Sequence, residues 1–325
     1  MKRSVFAFIA AVYLLFAIAG FGLAQNKSAK KDDKNAAMQT LEIKANLLIL
    51  DNRGNPLGDI KPEEIKIFED GVEQKITRLT KKEPVRLGLV MDNTGSLRSK
   101  LEIVIEAGKT VVDNLRPGDE AFIVRFSGAE NISEIQDWTS DKFKLKRTLD
   151  ELFIEGGLSA VVDAVYVSAE KMLESAKNDD SKRYALVLVS DGENAGSRYK
   201  EKQLFELLKN TPIQVFTLAF ITEISPRGNP KLVENFVQRL ALETGGAAFP
   251  LVKQNNPDAR NAEISAALRS IIAELRAQFV IEYVSTNQKR DGGARKLTVQ
   301  IAEGANGEKR SARIRDSFIV PIDKK

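Results

Sequence analysis

Between residues 85 and 276 short, apolar, β-branched runs alternate with longer stretches of helical period, and this alternation constrains the fold more than any other feature of the chain. The runs are VRLGLVMD, EAFIVRFSG, RYALVLVSD, IQVFTLAF and AAFPLV. Helical period fills Leu101 to Leu115, Lys142 to Leu152, Val161 to Glu174, Gln203 to Leu208, Leu232 to Glu243 and Ile264 to Arg276. A strand that is apolar at every position must be covered on both faces. Strands that alternate with helices supply that cover themselves, so the pattern predicts an α/β unit with a doubly wound, mostly parallel sheet. ISEIQDWT follows AFIVRFSG after a short Gly-containing turn and reads as an antiparallel edge strand, with Trp138 as a packing residue.

On either side the period becomes that of β-structure. Residues 41–84 contain LEIKANLLILD, IKIFED, an Asp70-Gly71 turn and EQKITRLT. Residues 277–322 contain QFVIEYVS, RKLTVQIA and RSARIRDSFIVP, separated by turns at Asp291 to Gly293 and Gly304 to Gly307. Three strands per flank are too few to bury two faces, so the flanks are expected to pair into one small β-sandwich-like module into which the α/β unit of 85–276 is inserted. Arg310, Arg313 and Arg315 are expected on the outer face of the last strand.

The first residues read as an export signal. Lys2 and Arg3 precede an almost wholly apolar stretch from Val5 to Leu23, and Gly22-Leu23-Ala24 places small residues where a signal peptidase cuts, giving a signal peptide over 1–24. Retained, the same stretch is long enough to anchor the chain in a membrane. Residues 25–40 are polar and read as a flexible tether. A periplasmic or secreted location follows.

The 325 residues include no Cys and no His. Disulfides are excluded, as are His-dependent triads and the usual zinc ligand, so any metal must be held by oxygen. A formal charge of +4, with basic and acidic residues interspersed, is not a nucleic-acid footprint.

Oxygen ligands gather at the ends of the apolar runs. Asp92-Asn93-Thr94-Gly95-Ser96 ends the first run and Asp191-Gly192-Glu193-Asn194 ends RYALVLVS. In open α/β sheets ligands bind at strand carboxyl ends where the winding reverses, and these two strands are the expected neighbours there. Gly156-Gly157-Leu158-Ser159 brings a third hydroxyl to the head of a helix. Three hydroxyls and two carboxylates suit Mg²⁺ or Mn²⁺, and so few charges leave room for one more anionic oxygen.

This constellation resembles the metal-ion-dependent adhesion site of von Willebrand factor A domains, written D-x-S-x-S, a Thr from a distant loop, and an Asp in a T-D-G-type turn. The resemblance implies a Rossmann-like fold and assigns Asp92, Thr94 and Ser96 to the first motif, Ser159 to the loop hydroxyl and Asp191 to the last carboxylate. Thr94 stands where Ser is usual and Ser159 where Thr is usual; each keeps its hydroxyl. It further implies a non-enzymatic protein-binding, adhesion-type module whose metal is completed by an Asp or Glu of a protein partner. Asn93, Leu97, Gly157, Leu158 and Glu193 would frame the contact surface. IKPEEIKIFEDGVEQKI and QFVIEYVSTNQKRDGGARKLTVQI resemble the flanks of bacterial exported VWFA-related proteins of the acidobacterial type.

Two alternatives stand beside this reading. The scaffold could carry an empty site. Asp92 to Ser96 also resembles the D-K-T-G-T motif of haloacid-dehalogenase-type phosphotransferases, and Ser190 to Asn194 their later G-D-G-x-N-D turn, which would make Asp92 a phosphate-accepting nucleophile with Mg²⁺ shared with Asp191. Against it, Ala195 stands where that motif has Asp, no second acid follows Asp92 at the position of a general acid, and the glycine loop before Ser159 is left without a role.

Overall fold

A computed structural model describes residues 40–81, 84–177, 179, 181–209, 211–221, 228–251, 256–304 and 307–322. The expected export segment and, but for residue 40, the tether lie outside these residues. Among the described residues no helix is long and apolar enough to cross a membrane.

The N-terminal flank forms β1 (Glu42–Leu50), β2 (Ile65–Glu69), β3 (Val72–Gln74) and β4 (Ile76–Thr80). The central unit follows as β5 (Val85–Asp92), α1 (Leu101–Asp113), β6 (Glu120–Phe126), β7 (Ile132–Thr139), α2 (Lys142–Asp150), α3 (Val161–Ala176), β8 (Arg183–Ser190), α4 (Glu201–Lys209), β9 (Ile213–Ala219), α5 (Pro230–Thr244), β10 (Ala248–Pro250) and α6 (Pro257–Ala277). The C-terminal flank contributes β11 (Phe279–Val284), β12 (Ala294–Ile301), β13 (Ser311–Ile314) and β14 (Ser317–Ile319).

The central sheet has the order β10-β9-β8-β5-β6-β7, parallel throughout except for β7, which runs antiparallel to β6 along the edge. This is the mixed α/β class that the alternating runs predict. Every residue of β8 is buried, because its two faces feed two cores. Ala185, Val187 and Val189 join a layer with Val104 of α1, Leu145 of α2 and Ile271 of α6. Tyr184, Leu186 and Leu188 join the opposite layer with Val165 of α3, Leu204 of α4 and Leu240 of α5. Each fully buried aliphatic side chain contributes roughly 1.5–3 kcal/mol relative to exposure, so both faces of such a strand hold it in place. From β5 the chain moves outward to β6, and from β8 it moves the other way to β9. The winding therefore reverses between β5 and β8, whose carboxyl ends are Asp92 and Ser190.

Trp138 packs edge-on to Phe122 with ring centroids 4.7 Å apart, a packing role as expected for the edge strand. Helix α6 begins at Pro257, seven residues before the apolar period does. Its first turns are polar, and the start is set by Asn256, whose side chain accepts from the Asp258 amide at 2.8 Å.

The flanks interleave more than their sequence shows. They form two four-stranded sheets, β13-β1-β11-β4 and β14-β12-β2-β3, each taking strands from both sides of the central unit. Ile43, Leu47, Ile67, Tyr283 and Leu297 meet in one shared core. EQKITRLT, expected as one strand, divides at Lys75: β3 pairs with β2, while β4 pairs with β11 in the other sheet. RSARIRDSFIVP divides likewise, β13 joining β1 and β14 joining β12. Switching sheets lets one segment serve both layers.

The three C-terminal arginines are not an outer face. Arg310 pairs with Glu64 at 2.7 Å and Arg313 with Glu274 of α6 at 2.7 Å. Arg315 donates to the carbonyls of Lys209 and Thr211 at 3.3 and 3.0 Å. The expectation failed because only Arg313 lies within a strand: Arg310 precedes β13 and Arg315 stands at the break after it. Deeper in the module Arg295 and Glu69, both buried, pair at 2.6 Å. Glu69 also accepts from Tyr283 Oη at 2.9 Å and Ser285 Oγ at 2.8 Å, while Arg295 donates to the carbonyls of Asn287 and Lys289. A buried ion pair is tolerable only with its remaining donors and acceptors satisfied, as they are here.

Candidate metal centre

Strand β5 carries Asp92 to the carboxyl edge, where it lies opposite Phe126 of β6 and is fully buried. The chain then leaves the sheet with Thr94 in an extended conformation at the head of a 3-10 turn, Gly95–Lys100, that leads into α1. This sharp exit turns Thr94 and Ser96 back over the strand end. Thr94 donates to Asp92 Oδ1 twice, from its amide at 2.9 Å and from Oγ1 at 2.6 Å. Thr94 Oγ1 lies 3.0 Å from Ser96 Oγ, and Ser96 Oγ donates to Asp191 Oδ2 at 2.5 Å. A continuous chain of oxygens thus spans the reversal point from Asp92 to Asp191.

The proton count in this chain is short. Three oxygen-to-oxygen contacts run from Asp92 through Thr94 and Ser96 to Asp191, and the two hydroxyls bring two protons. With both carboxylates ionised, one contact sets lone pair against lone pair. A shared cation, or a proton on one carboxyl, relieves it.

Electrostatics point the same way. Burial first, and then the charge of Asp191, push the Asp92 carboxyl up to about 7, against the pull of hydrogen bonds from Ser190 and Thr94. Every hydrogen bond that Asp92 accepts comes from a neutral donor: the Thr94 amide and hydroxyl, and Ser190 Oγ at 2.5 Å on Oδ2.

Asp191 sits in a turn shaped by Gly192, whose φ of 76° is costly for any other residue and whose missing Cβ leaves room for Val233, 2.7 Å from where that atom would lie. The Asp191 carboxylate accepts from the Glu193 amide at 2.9 Å. Ser159 arrives from the third loop. Its carbonyl accepts from the amides of Ala195 and Gly196, both at 2.9 Å, which stitches its loop to the one that follows Asp191. Gly157 allows the approach on the other side: a Cβ there would stand 2.2 Å from the Ser127 carbonyl oxygen. Ser159 Oγ is buried and makes no hydrogen bond among the described residues. Orphaned buried hydroxyls cost about 1–3 kcal/mol, so one at this edge fits a ligand role.

The donor set therefore fits an oxygen-loving divalent ion: two carboxylates and three hydroxyls. Among the described residues no cluster of three or more acidic side chains offers a rival metal site.

The expected contact surface needs correction. Gly157 and Leu158 are exposed and Glu193 is half-buried, but Asn93 and Leu97 are fully buried. Leu97 belongs to the core beneath α1. Asn93 points inward and donates from Nδ2 to the Phe153 carbonyl at 3.0 Å, while its own carbonyl accepts from the Glu155 amide at 2.9 Å. It anchors the glycine loop and presents nothing to a partner. Ser190 was missed, although it holds Asp92 Oδ2 and accepts from the Gly192 amide at 2.9 Å. Its position directly before Asp191, as the last residue of a buried run, was the available signal.

No curated protein matches the chain by sequence. Among solved structures, the conserved hypothetical protein BatB from Bacteroides thetaiotaomicron is similar at 20% identity over 57% of this chain and 100% of that one, with a TM-score of 0.43. A von Willebrand factor type A protein from Catenulispora acidiphila is similar at 13% identity over 80% of this chain and 74% of that one, with a TM-score of 0.47. Residues 87–193, which hold all five candidate ligands, match the family model of the von Willebrand factor type A domain. The part of the chain that holds the candidate site is thus similar to a von Willebrand factor type A domain.

Proposed function

We propose that this is an exported, non-enzymatic protein-binding module that uses Mg²⁺ or Mn²⁺ at the β5–β8 edge to capture a carboxylate of its partner. Von Willebrand factor type A domains generally mediate protein–protein interaction. The observation that carries the metal-dependent form is the oxygen chain from Asp92 to Asp191, two hydroxyl protons for three contacts beside a buried carboxyl that only neutral donors support. Asp92, Thr94, Ser96, Ser159 and Asp191 would hold the ion directly or through water. A divalent ion held there supplies Lewis acidity toward an incoming anionic oxygen. Exposed Leu158 would flank that oxygen with an apolar contact.

The phosphotransfer reading fits less well. A nucleophilic Asp must offer a free oxygen to phosphorus, yet both oxygens of Asp92 are engaged and its side chain is fully buried. Incubation with a generic phosphate ester distinguishes the two: no Asp92-dependent turnover is expected, and turnover that Asp92→Ala abolishes would overturn the binding role. The binding role itself is tested by pull-down from an envelope fraction with Mg²⁺ or with chelator. Partner recovery should require Mg²⁺ and fail with Asp92→Ala; recovery indifferent to both would contradict the metal-dependent form. We also infer that residues 85–276 are an insert that folds by itself, which expression of residues 84–276 as an unfolded chain would refute.

A further inference from the structure

Helix α3, which follows the candidate ligand Ser159, starts without a cap of its own. Its N-cap is Ala160, whose side chain accepts nothing, so the first amides of the helix must find oxygens elsewhere. They find them on the loop that follows the other candidate ligand, Asp191. The Val162 amide donates to Asn194 Oδ1 at 3.4 Å and the Asp163 amide to Ser197 Oγ at 3.2 Å. Ser197 Oγ in turn donates to Asn194 Oδ1 at 2.5 Å, which fixes the two acceptors relative to each other.

The exchange runs both ways. Asp163, buried in the first turn of α3, accepts from the Tyr199 amide on Oδ1 and from the Arg198 amide on Oδ2, both at 2.8 Å. These two amides and the positive end of the helix compensate its charge from within the chain. Between the caps and the acid, the Ser159 carbonyl takes the amides of Ala195 and Gly196. A Cβ on Gly196 would strike the Leu158 carbonyl, so glycine permits the close approach. The Tyr199 ring closes the far end by stacking on Tyr166, with centroids 3.8 Å apart and planes 14° apart. Each residue from Asn194 to Tyr199 therefore hydrogen-bonds to residues 159–163. In this seam Asp163 supplies the one side chain that holds two residues of the opposite loop at once.

We propose that Asp163 is a positioning residue for the β5–β8 edge: by clamping the two loops together it sets the spacing of Ser159 and Asp191, and with it the preference of the site for a small ion over a large one. The inference rests on the metal-dependent reading above. Mg²⁺ demands near-regular octahedral oxygens at ~2.0–2.1 Å, whereas Ca²⁺ takes more oxygens at ~2.3–2.6 Å in looser arrangements. Selectivity between them depends on how firmly the ligands are held. The Ser159 hydroxyl and the Ser159 carbonyl belong to one residue, so a seam that fixes the carbonyl fixes the reach of the hydroxyl. A seam that slackens lets Ser159 drift from Asp191 and widens the site.

Asp163→Asn tests this, since an amide side chain keeps one acceptor and turns a donor on the second backbone amide. The metal-free protein is titrated calorimetrically with Mg²⁺ alone and with Ca²⁺ alone, and unfolded with denaturant in parallel. Mg²⁺ affinity should fall about tenfold, the low end of what residues that orient metal ligands contribute. Ca²⁺ affinity should fall by less, so the ratio of the two affinities drops. Without metal, the Ala195 and Gly196 amides should exchange with solvent faster than in the wild-type protein. Ser197→Ala, which removes a half-buried hydroxyl from the same seam, should move the ratio in the same direction by a smaller factor, and it carries the test if Asp163→Asn does not fold. An unchanged ratio, whatever the loss of stability, or unchanged exchange at these two amides would make Asp163 a structural clamp alone and overturn the proposal while leaving the metal-dependent reading intact. Wild-type protein that binds neither ion would overturn that reading, and the proposal with it.

Discussion

Two buried acidic sites in this molecule are solved in opposite ways. In the flanking module Glu69 is met by Arg295 at 2.6 Å, and hydroxyls of Tyr283 and Ser285 take up the rest of its capacity. At the β5–β8 edge Asp92, equally deep, is held by one amide and two hydroxyls, with Asp191 linked to it through Thr94 and Ser96. A carboxylate compensated from within the chain is cement: it joins β2 of one flank to β12 of the other. A carboxylate compensated only by neutral donors is poised for something from outside. A carboxyl group therefore does structural work in one place and, under the proposed metal-dependent reading, is left for an ion in the other.

The largest expected effect breaks the first site. Arg295→Met strands Glu69 in the core, and denaturant unfolding should show a loss of about 3–5 kcal/mol. Adding Glu69→Leu should recover most of it, since an apolar pair of similar volume can replace a buried ion pair. A loss below about 1 kcal/mol would mean that the two sites are less different than their hydrogen bonds make them.

Asp92→Asn probes the other side of the comparison. Without metal the substitution removes a like-charge repulsion and keeps a polar group for Thr94 and Ser190, so unfolding stability should hold within about 1 kcal/mol or rise. With Mg²⁺ at a hundred times its dissociation constant the wild-type protein should gain about 2.7 kcal/mol and the variant nothing. A variant that unfolds outright would make Asp92 structural, like Glu69. Ser159→Ala is milder. Its Oγ has no hydrogen bond to lose among the described residues, so metal-free stability should be unchanged or slightly raised, while Mg²⁺ affinity falls about tenfold. Equal affinity in the variant would remove Ser159 from the ligand set.

A third acid sharpens the contrast through pH. Asp119 is buried but held below the usual carboxylate range despite its burial, by Arg276 and by the amides of Val85 and Arg116 at 2.7 and 2.6 Å. Because its folded pKa lies below its unfolded one, its contribution is fully present above about pH 4 and is lost as pH falls through the folded value. Acid unfolding of Asp119→Asn should accordingly be less steep below pH 4 than that of the wild-type protein. Parallel curves would contradict this.

Much of the candidate site was legible before any coordinates, because its logic is local. Asp92 and Asp191 end apolar runs, and the geometry of parallel sheets carries such ends to one edge. Which loop residues face outward was not legible. Asn93 and Leu97 flank the ligands as closely as Leu158 does, but the exit of the chain from β5 turns them inward, and that rotation depends on tertiary packing. The flanks show a similar limit. EQKITRLT and RSARIRDSFIVP each look like one strand, since alternation says nothing about which sheet each half joins. Arg313 and Arg315 looked solvated for the same reason, but they meet Glu274 and the end of α4.

The central claim is that the β5–β8 edge binds one divalent ion through oxygens alone. Isothermal titration of the metal-free protein with Mg²⁺ tests it most directly. One saturable site per chain, lost in Asp92→Asn and retained in Arg295→Met that remains folded, is the predicted result. No saturable Mg²⁺ binding by the wild-type protein, or binding undiminished by Asp92→Asn, would contradict it.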